Sequence, residues 1–328
     1  MDTPILDPSQ VSEGRRLAVE FVRRAGADDG KLARVALIAT EMATNLIKHG
    51  GGGILVVDRF DDADGSGIEL MALDQGAGMA DVGRSLVDGY STAGSPGTGF
   101  GAIARQSDRL AVFSRPGLGT VVMARLIFEP AAKLPSGTEL GVVSAPHPAE
   151  TVSGDHWAFG AGKAGRTVLV VDGSGHGPEA ARAARLAAQI FGEHLDEDCE
   201  RLVERLHRAL APTRGAALAV ARVDASRKLV RFVGVGNIAG AVVSDGDVRR
   251  MVSHNGTAGH IAPRIREFTY PFAGTPLLIL HSDGLSAKWE LAGYPGLAAS
   301  HPSLIAGVLF RDHRRGRDDA TVLAMRAS

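Results

Sequence analysis

The chain has 328 residues, 45% of them hydrophobic and 22% charged, and a formal net charge of −1. At roughly 100–200 residues per domain this makes about two globular domains, each long enough for its own core. The near-neutral balance argues against nucleic acid as a partner, the single cysteine, Cys199, excludes internal disulfides and cysteine–zinc clusters, and no apolar run approaches the ~20 residues of a membrane span. The start, Met1-Asp-Thr-Pro-Ile-Leu-Asp-Pro8, has neither the basic opening nor the apolar stretch of a signal peptide. A cytoplasmic protein is the expectation.

In chain order, Ser9–Arg24 carries Val11, Leu17, Ala18, Phe21 and Val22 among charges and reads as an amphipathic helix. Asp28 caps a second helix over about Asp29–His49, ended by Gly50–Gly53. Ile54–Phe60 and Ile68–Leu73 read as strands, a glycine-rich loop follows over Gly76–Gly97, and a helix runs from Phe100 to about Ser107. Leu110–Ser114 and Thr120–Ile127 are two more strands. The first half is therefore α+β, with helices on one face of a largely antiparallel sheet.

Residues 130–137, with two prolines and a glycine, form the linker, so the expected domains are 1–129 and 138–328. Beyond it Leu140–Ser144, Thr167–Val171, Ala216–Val223, Val230–Val233, Ala241–Val243, Leu277–His281 and Ala320–Met325 read as strands. Helical patterns cover about Glu179–Leu195, Glu200–Leu210 and Pro302–Phe310. The second half is again α+β, richer in strands.

Two acidic-glycine cassettes carry the chemistry. In the first, Glu41 and Asn45 are four apart and share one helix face, with Lys48 near it. An asparagine oxygen is a hard ligand for Mg²⁺, and a glutamate one turn away can polarise a hydroxyl or water. Asp74, at a strand end, can accept a hydrogen bond from an adenine amino group, and Gly76 and Gly78 let the backbone approach the base. Gly97, Thr98, Gly99 and Gly101 precede a helix whose N-terminus can cradle phosphates.

The ordered text Glu41-Met-Ala-Thr-Asn-Leu-Ile-Lys-His-Gly50, Asp74-Gln-Gly-Ala-Gly78, Gly97-Thr-Gly-Phe-Gly-Ala102 and Gly117-Leu-Gly-Thr120 resembles the GHKL (Bergerat) ATP-binding fold, and most of all its small RsbT-like serine kinases. The resemblance covers the first ~130 residues. It implies ATP with Mg²⁺, Asn45 as the Mg²⁺ ligand, Glu41 as the catalytic carboxylate, Asp74 as the adenine reader, Thr120 as an adenine-side hydrogen bonder and residues 79–96 as an ATP lid. It also implies a Ser or Thr on a STAS-domain partner as phosphate acceptor, in a sigma-factor pathway.

In the second cassette Asp155, Asp172, Asp283 and Asp318–Asp319 fall at or beside strand ends, where a rigid sheet can gather them around two hard cations. A lone Asp-Gly is usually a turn; several in order are more telling. The text Ser153-Gly-Asp155, Asp172-Gly-Ser-Gly-His-Gly177, Gly234-Val-Gly-Asn237, His281-Ser-Asp-Gly-Leu285 and Arg317-Asp-Asp-Ala-Thr-Val322 resembles PPM-type serine/threonine phosphatases of the SpoIIE and RsbX kind. That implies an α/β/β/α sandwich with two Mn²⁺ or Mg²⁺ ions. Asp155, Asp172, Asp283, Asp318 and the Gly173 carbonyl would be ligands, and Asp172 the bridging, catalytic one. Asp318 and Asp319 compete for one role. Two departures, His156-Trp157 after the first acid and Ser174 in the glycine run, remove no ligand.

Taken together, the sequence describes a switch that both adds and removes phosphate on a partner. The alternatives are a phosphatase governed by a non-catalytic ATP sensor and a binding switch that sequesters its partner.

Overall fold

The computed structural model describes residues 1–62, 64–85, 99–130, 137–262 and 264–327. Gly97, Thr98, most of the expected lid and most of the expected linker lie outside the described residues. The chain forms two compact units, Met1–Lys133 with Glu290–Arg311, and Leu134–Trp289 with Asp312–Ser328.

In the first unit β1 (Asp2–Ile5), β2 (Gly53–Asp62), β3 (Gly65–Asp74), β4 (Arg109–Ser114) and β5 (Thr120–Pro130) form one antiparallel sheet in the order β1-β2-β3-β5-β4. Helices α1 (Ser9–Arg24) and α2 (Asp29–Asn45) lie on one face, with the short α3 (Val82–Ser85) and α4 (Gly99–Gln106) following β3. α1 turns Gly14, Ala18 and Val22 inward at four-residue spacing, and α2 turns in Leu32, Val35, Ile38, Ala39, Met42 and Ala43. They pack on Leu55, Val57, Ile68, Leu70, Val122 and Ala124 of the sheet. Asp28 caps α2 by accepting the Lys31 N–H at 2.9 Å. The α-helical turn ends at Asn45, and Leu46–Gly50 continue as a wider π-helical turn, which the periodicity alone does not distinguish from α.

The second unit contains two antiparallel sheets. One holds β7 (Asp155–Gly162), β8 (Gly165–Gly173), β9 (Ala216–Asp224), β10 (Leu229–Val235) and β13 (Phe268–Pro271). The other holds β6 (Thr138–Ala145), β11 (Ala239–Ser244), β12 (Asp247–Met251), β14 (Leu277–His281) and β15 (Ala320–Ala327). Their facing sides share a core of Val168, Val170, Ala219, Phe232, Leu278, Leu280 and Leu323. On the opposite side of the first of these sheets, α5 (Pro178–Glu193) and α6 (Cys199–Ala209) cover Leu169, Val171, Leu218 and Val220.

The last helix, α7 (Pro302–His313), is buried from Pro302 to Phe310, and through Arg311 it counts with the first unit. This accounts for the burial of both faces of β3 and β5, whose apolar text is interrupted by Glu69 and Arg125. Met71, Leu73, Val121 and Met123, opposite the α1–α2 face, are buried too, as in sheets covered on both sides. The contact is close: a β-carbon at Gly307 would fall 2.6 Å from Met71 Cε and 2.9 Å from Val121 Cγ1. Beside it Arg125, 1% exposed, pairs with Glu69 at 2.6 Å and Asp62 at 2.8 Å, and the Ser303 hydroxyl of α7 donates to the same Glu69 oxygen at 2.7 Å. Such a cluster fixes register more than it adds stability. Gly307→Leu should overpack this layer and lower stability by about 1–3 kcal/mol; an unchanged urea midpoint would contradict the packing.

Candidate functional site

The first site forms where α2, the end of β3 and the start of α4 meet. Glu41 and Asn45 project from the last turns of α2, both half-buried. The chain at Gly99 runs against them: a β-carbon there would lie 3.1 Å from Glu41 Oε2 and 3.5 Å from Asn45 Oδ1. The start of the α4 helix and the two polar side chains therefore share one space, the arrangement a nucleotide's phosphates need. Among the described residues Asn45 Nδ2 is buried without a hydrogen-bond partner, a donor that an acceptor such as a phosphate oxygen would satisfy. Gly101 is buried in the first turns of α4, while Lys48 is exposed in the π-helical turn.

At the other end of this site Asp74, 8% exposed, closes β3. Its Oδ1 accepts the Gly76 N–H at 2.9 Å and the Thr120 N–H at 3.1 Å. Those bonds fix the orientation of the carboxylate through Oδ1. Burial pushes the Asp74 carboxyl up, while the two N–H donors and the nearby charges of Arg311 and His49 pull it back. Thr120 shares a hydrogen bond with Ser114 at 2.9 Å, and Ser114 also accepts the Met79 N–H at 2.8 Å, which anchors the described start of the lid segment beyond Gly76 and Gly78.

The second site lies at one end of the β-sandwich. Asp155 and Asp172 are cross-strand partners on β7 and β8. Asp283 follows β14, and Asp318 and Asp319 precede β15. A cavity of about 660 Å³ is lined by Asp172, Asp283 and Asp318 together with Asn237, Asn255 and Arg317. Asp155 sits deeper, its Oδ2 accepting the Ser282 hydroxyl at 2.6 Å, while Ser282 Oγ accepts the Thr321 N–H. Asp319 is 2% exposed and accepts the His147 N–H at 2.8 Å. The two Asp-Gly pairs have steric causes: a β-carbon at Gly173 would fall 2.2 Å from the Ala180 carbonyl, and one at Gly284 1.9 Å from the Asp319 carbonyl. Glycine is what lets each acid sit against the neighbouring chain.

Among the described residues no three His, Cys, Asp or Glu side chains already stand together as a cage for an ion. The donor set still fits divalent cations. It is all oxygen, it borders a cavity with room for the waters such ions retain, and among the described residues Asp155 Oδ1 and Asp319 Oδ2 are buried without partners. Burial, then the charges of Asp155, Asp283, Asp318 and Asp319, push the Asp172 carboxyl far above the usual carboxylate range. Asp155 is raised likewise by burial, with Asp319 and Asp283 adding to it.

This sets the pH dependence of the metal-free protein. A carboxyl raised on folding contributes stability that is fully present below its unfolded pKa, about 3.9, and is lost as pH rises through the folded value. Metal-free Tm should therefore fall as pH rises from about 7 to about 9, above the range in which the neutral His281 contributes the opposite slope, and Mn²⁺ should remove most of that fall. A decline in Tm that Mn²⁺ leaves unaltered would argue against the site.

Several participants went unassigned in the sequence. Asn237 donates to Asp283 Oδ2 at 2.7 Å and Ser282 holds Asp155; both lie inside quoted motifs, so adjacency was the available signal. His176 stacks on His147 at 4.6 Å and shares a hydrogen bond with Glu150, consistent with a structural place. His281 is buried, paired with Trp289, and held neutral, its pKa pushed down to about 4 mainly by burial.

Comparison with known proteins follows the same division. The family model for the histidine kinase-like ATPase domain matches residues 6–126, and the model for Stage II sporulation protein E (SpoIIE) matches residues 163–328, half of the chain. The serine/threonine-protein kinase RsbT of Bacillus subtilis (strain 168) is 28% identical over 120 residues, 37% of this chain and 90% of RsbT. A solved structure described under the bacterial stressosome as a modular system adapted to control secondary messenger signalling is 27% identical, covers 58% of this chain and 99% of its own, and has a TM-score of 0.53. RsbX in complex with magnesium also reaches a TM-score of 0.53, at 19% identity over 60% of this chain and 98% of its own; at that identity the likeness is one of fold.

Proposed function

We propose, from the premise that this chain belongs to the SpoIIE family, that it is a two-way phosphoryl switch on Ser or Thr of a protein partner. The N-terminal unit is an RsbT-like kinase and the C-terminal unit a PPM-type phosphatase. The observation that carries this reading is that each unit holds its own polar site with buried groups that have no partner among the described residues: the donor Asn45 Nδ2 in one, the acceptors Asp155 Oδ1 and Asp319 Oδ2 in the other.

In the kinase site we assign Glu41 to take the proton of the attacking hydroxyl, Asn45 to Mg²⁺, and Asp74, Gly76, Gly78 and Thr120 to the adenine side. Lys48, Gly97, Thr98, Gly99 and Gly101 are assigned to the phosphates. Phosphoryl transfer needs little else than position and charge neutralisation. In the phosphatase site Asp155, Asp172, Asp283, Asp318 and the Gly173 carbonyl would hold two Mn²⁺ or Mg²⁺ ions, with Asp172 as the catalytic carboxylate among them. Bound there, the ions would supply an activated water and a clamp on the phosphoryl group. The chain's own part is to aim these carboxylates: Ser282 orients Asp155, Asn237 orients Asp283, and the His147 N–H fixes Asp319.

We further propose that the partner is a STAS-domain protein of a sigma-factor pathway and that the switch acts in the cytoplasm, where ATP is supplied. No helix among the described residues is long and apolar enough to cross a membrane. The test is to incubate the full chain with γ-labelled ATP and candidate STAS proteins, with and without Mn²⁺, and follow label onto and off the partner. Nucleotide binding with phosphatase activity, but no transfer to any partner, would replace the kinase by a nucleotide sensor.

A further inference from the structure

We infer that Arg311, carried by α7, is a positioning residue for adenine recognition, so that the nucleotide site of the first unit is completed by the segment Glu290–Arg311. The inference rests on the reading of Asp74 as the group that meets the base. Arg311 is 237 positions along the chain from Asp74, and nothing in the ATP-site motifs points to it.

The geometry converges on one carbonyl. Arg311 Nη1 donates to the Asp74 main-chain oxygen at 2.8 Å. That oxygen lies at the last paired position of β3, Asp74 against Thr120. A β-carbon at Gly119, where φ is +66°, would lie 2.1 Å from the same oxygen and 2.9 Å from Arg311 Nη1. Asp74, Gly119 and Arg311 thus close around a single point, and only a glycine at 119 leaves room for the guanidinium. The turn beside it is tied to the same segment, since Arg115 Nε donates to the Pro295 carbonyl at 3.2 Å. Both backbone turns that frame the adenine side, 74–76 and 115–119, therefore have a bond into 290–311.

A charge-assisted bond to a carbonyl is stronger than a neutral one. Here it fixes the peptide from which the Asp74 side chain springs, while Gly76 and Thr120 fix the carboxylate itself. The guanidinium also favours the ionised carboxylate against the burial that opposes it. An ionised acceptor distinguishes adenine, which presents an amino donor, from guanine, which presents a carbonyl acceptor at the equivalent place. A site built around a hydrogen bond rejects a base that cannot make it. Loosening Asp74 should therefore cost base discrimination, which a general loss of stability would not change.

The experiment measures binding of mant-ATP and mant-GTP to the full chain with Mg²⁺, for wild type, Arg311→Ala, Arg311→Lys and Asp74→Asn. Arg311→Ala is expected to weaken mant-ATP binding about 10-fold and to shrink the ATP-over-GTP preference by a similar factor. Arg311→Lys, which keeps the charge and a donor, should recover part of both. Asp74→Asn should lose the preference outright. If Asp74→Asn loses it while Arg311→Ala behaves as wild type, the role of Arg311 is overturned and the reading of Asp74 stands. If Asp74→Asn keeps the preference, the reading of Asp74 falls and this inference with it. Should Arg311→Ala fold poorly, Arg311→Met keeps the stem packing and is judged by the same two numbers.

Discussion

Asp172→Asn should abolish phosphatase turnover, by about 10³-fold or more, and leave nucleotide binding by the first unit unchanged. The expected size follows from its place. Asp172 lines the cavity, and the charges of four other acids, Asp155, Asp283, Asp318 and Asp319, act on it, so a cation held there would draw on its charge together with theirs. Asparagine keeps the shape and removes the charge. The same change should raise metal-free Tm, because asparagine removes the cost of protonating a carboxyl buried among other acids, and it should remove the stabilisation that Mn²⁺ otherwise gives. A variant that is inactive and also less stable without metal would point to a folding defect. Hydrolysis of a phosphorylated partner or of p-nitrophenyl phosphate gives the first readout, and thermal denaturation with and without Mn²⁺ the second.

Glu41→Gln should produce the complementary defect. Transfer of label to a partner should fall by about 10²–10⁴-fold, the range for loss of a general base, while mant-ATP binding persists and phosphatase turnover is untouched. Glu41 Oε2 would lie only 3.1 Å from a β-carbon at Gly99, so the carboxylate is beside the start of α4 and not buried in packing. Asn45→Ala is expected to weaken Mg²⁺-dependent nucleotide binding as well, which separates the cation's residue from the base. Normal transfer by Glu41→Gln would remove Glu41 from the catalytic role.

The elements that alternation and motifs announce and those they do not differ in a physical way. The central strands β2, β3, β5, β8, β9, β14 and β15 are dense in buried apolar residues and announce themselves. The strands that the sequence pattern does not announce are β1, β7, β12 and β13, and each lies at a sheet edge. β1 contains Pro4, β7 carries Gly160 and Gly162, and β12 is four-fifths exposed, DVRRM with only Met251 buried. Edge strands need neither a full apolar face nor every N–H, so a reading based on alternation passes over them. Site residues were legible where a motif fixes them locally: Asp155, Asp172, Asp283 and Asp318 do fall at strand ends of one sandwich, and Glu41 and Asn45 share one face of α2. Contacts made by residues remote in sequence were not. Neither the Ser303 bond to Glu69 nor the Arg311 bond to Asp74 has any local signature.

The placement of Glu290–Arg311 bears on how this protein can be taken apart. A protease nick within 131–136 would yield two pieces, and the C-terminal piece would still carry the helix that covers Met71, Leu73 and Val121. The pieces should therefore co-purify after cleavage. Expressed separately, the N-terminal piece would present a bare apolar sheet face and the C-terminal piece an orphan helix, both prone to aggregation. Chimeras that exchange the ATP-binding half with a free-standing homologue would inherit the same mismatch unless 290–311 travels with it, so the boundary of heritable function does not coincide with the point where the two halves are joined.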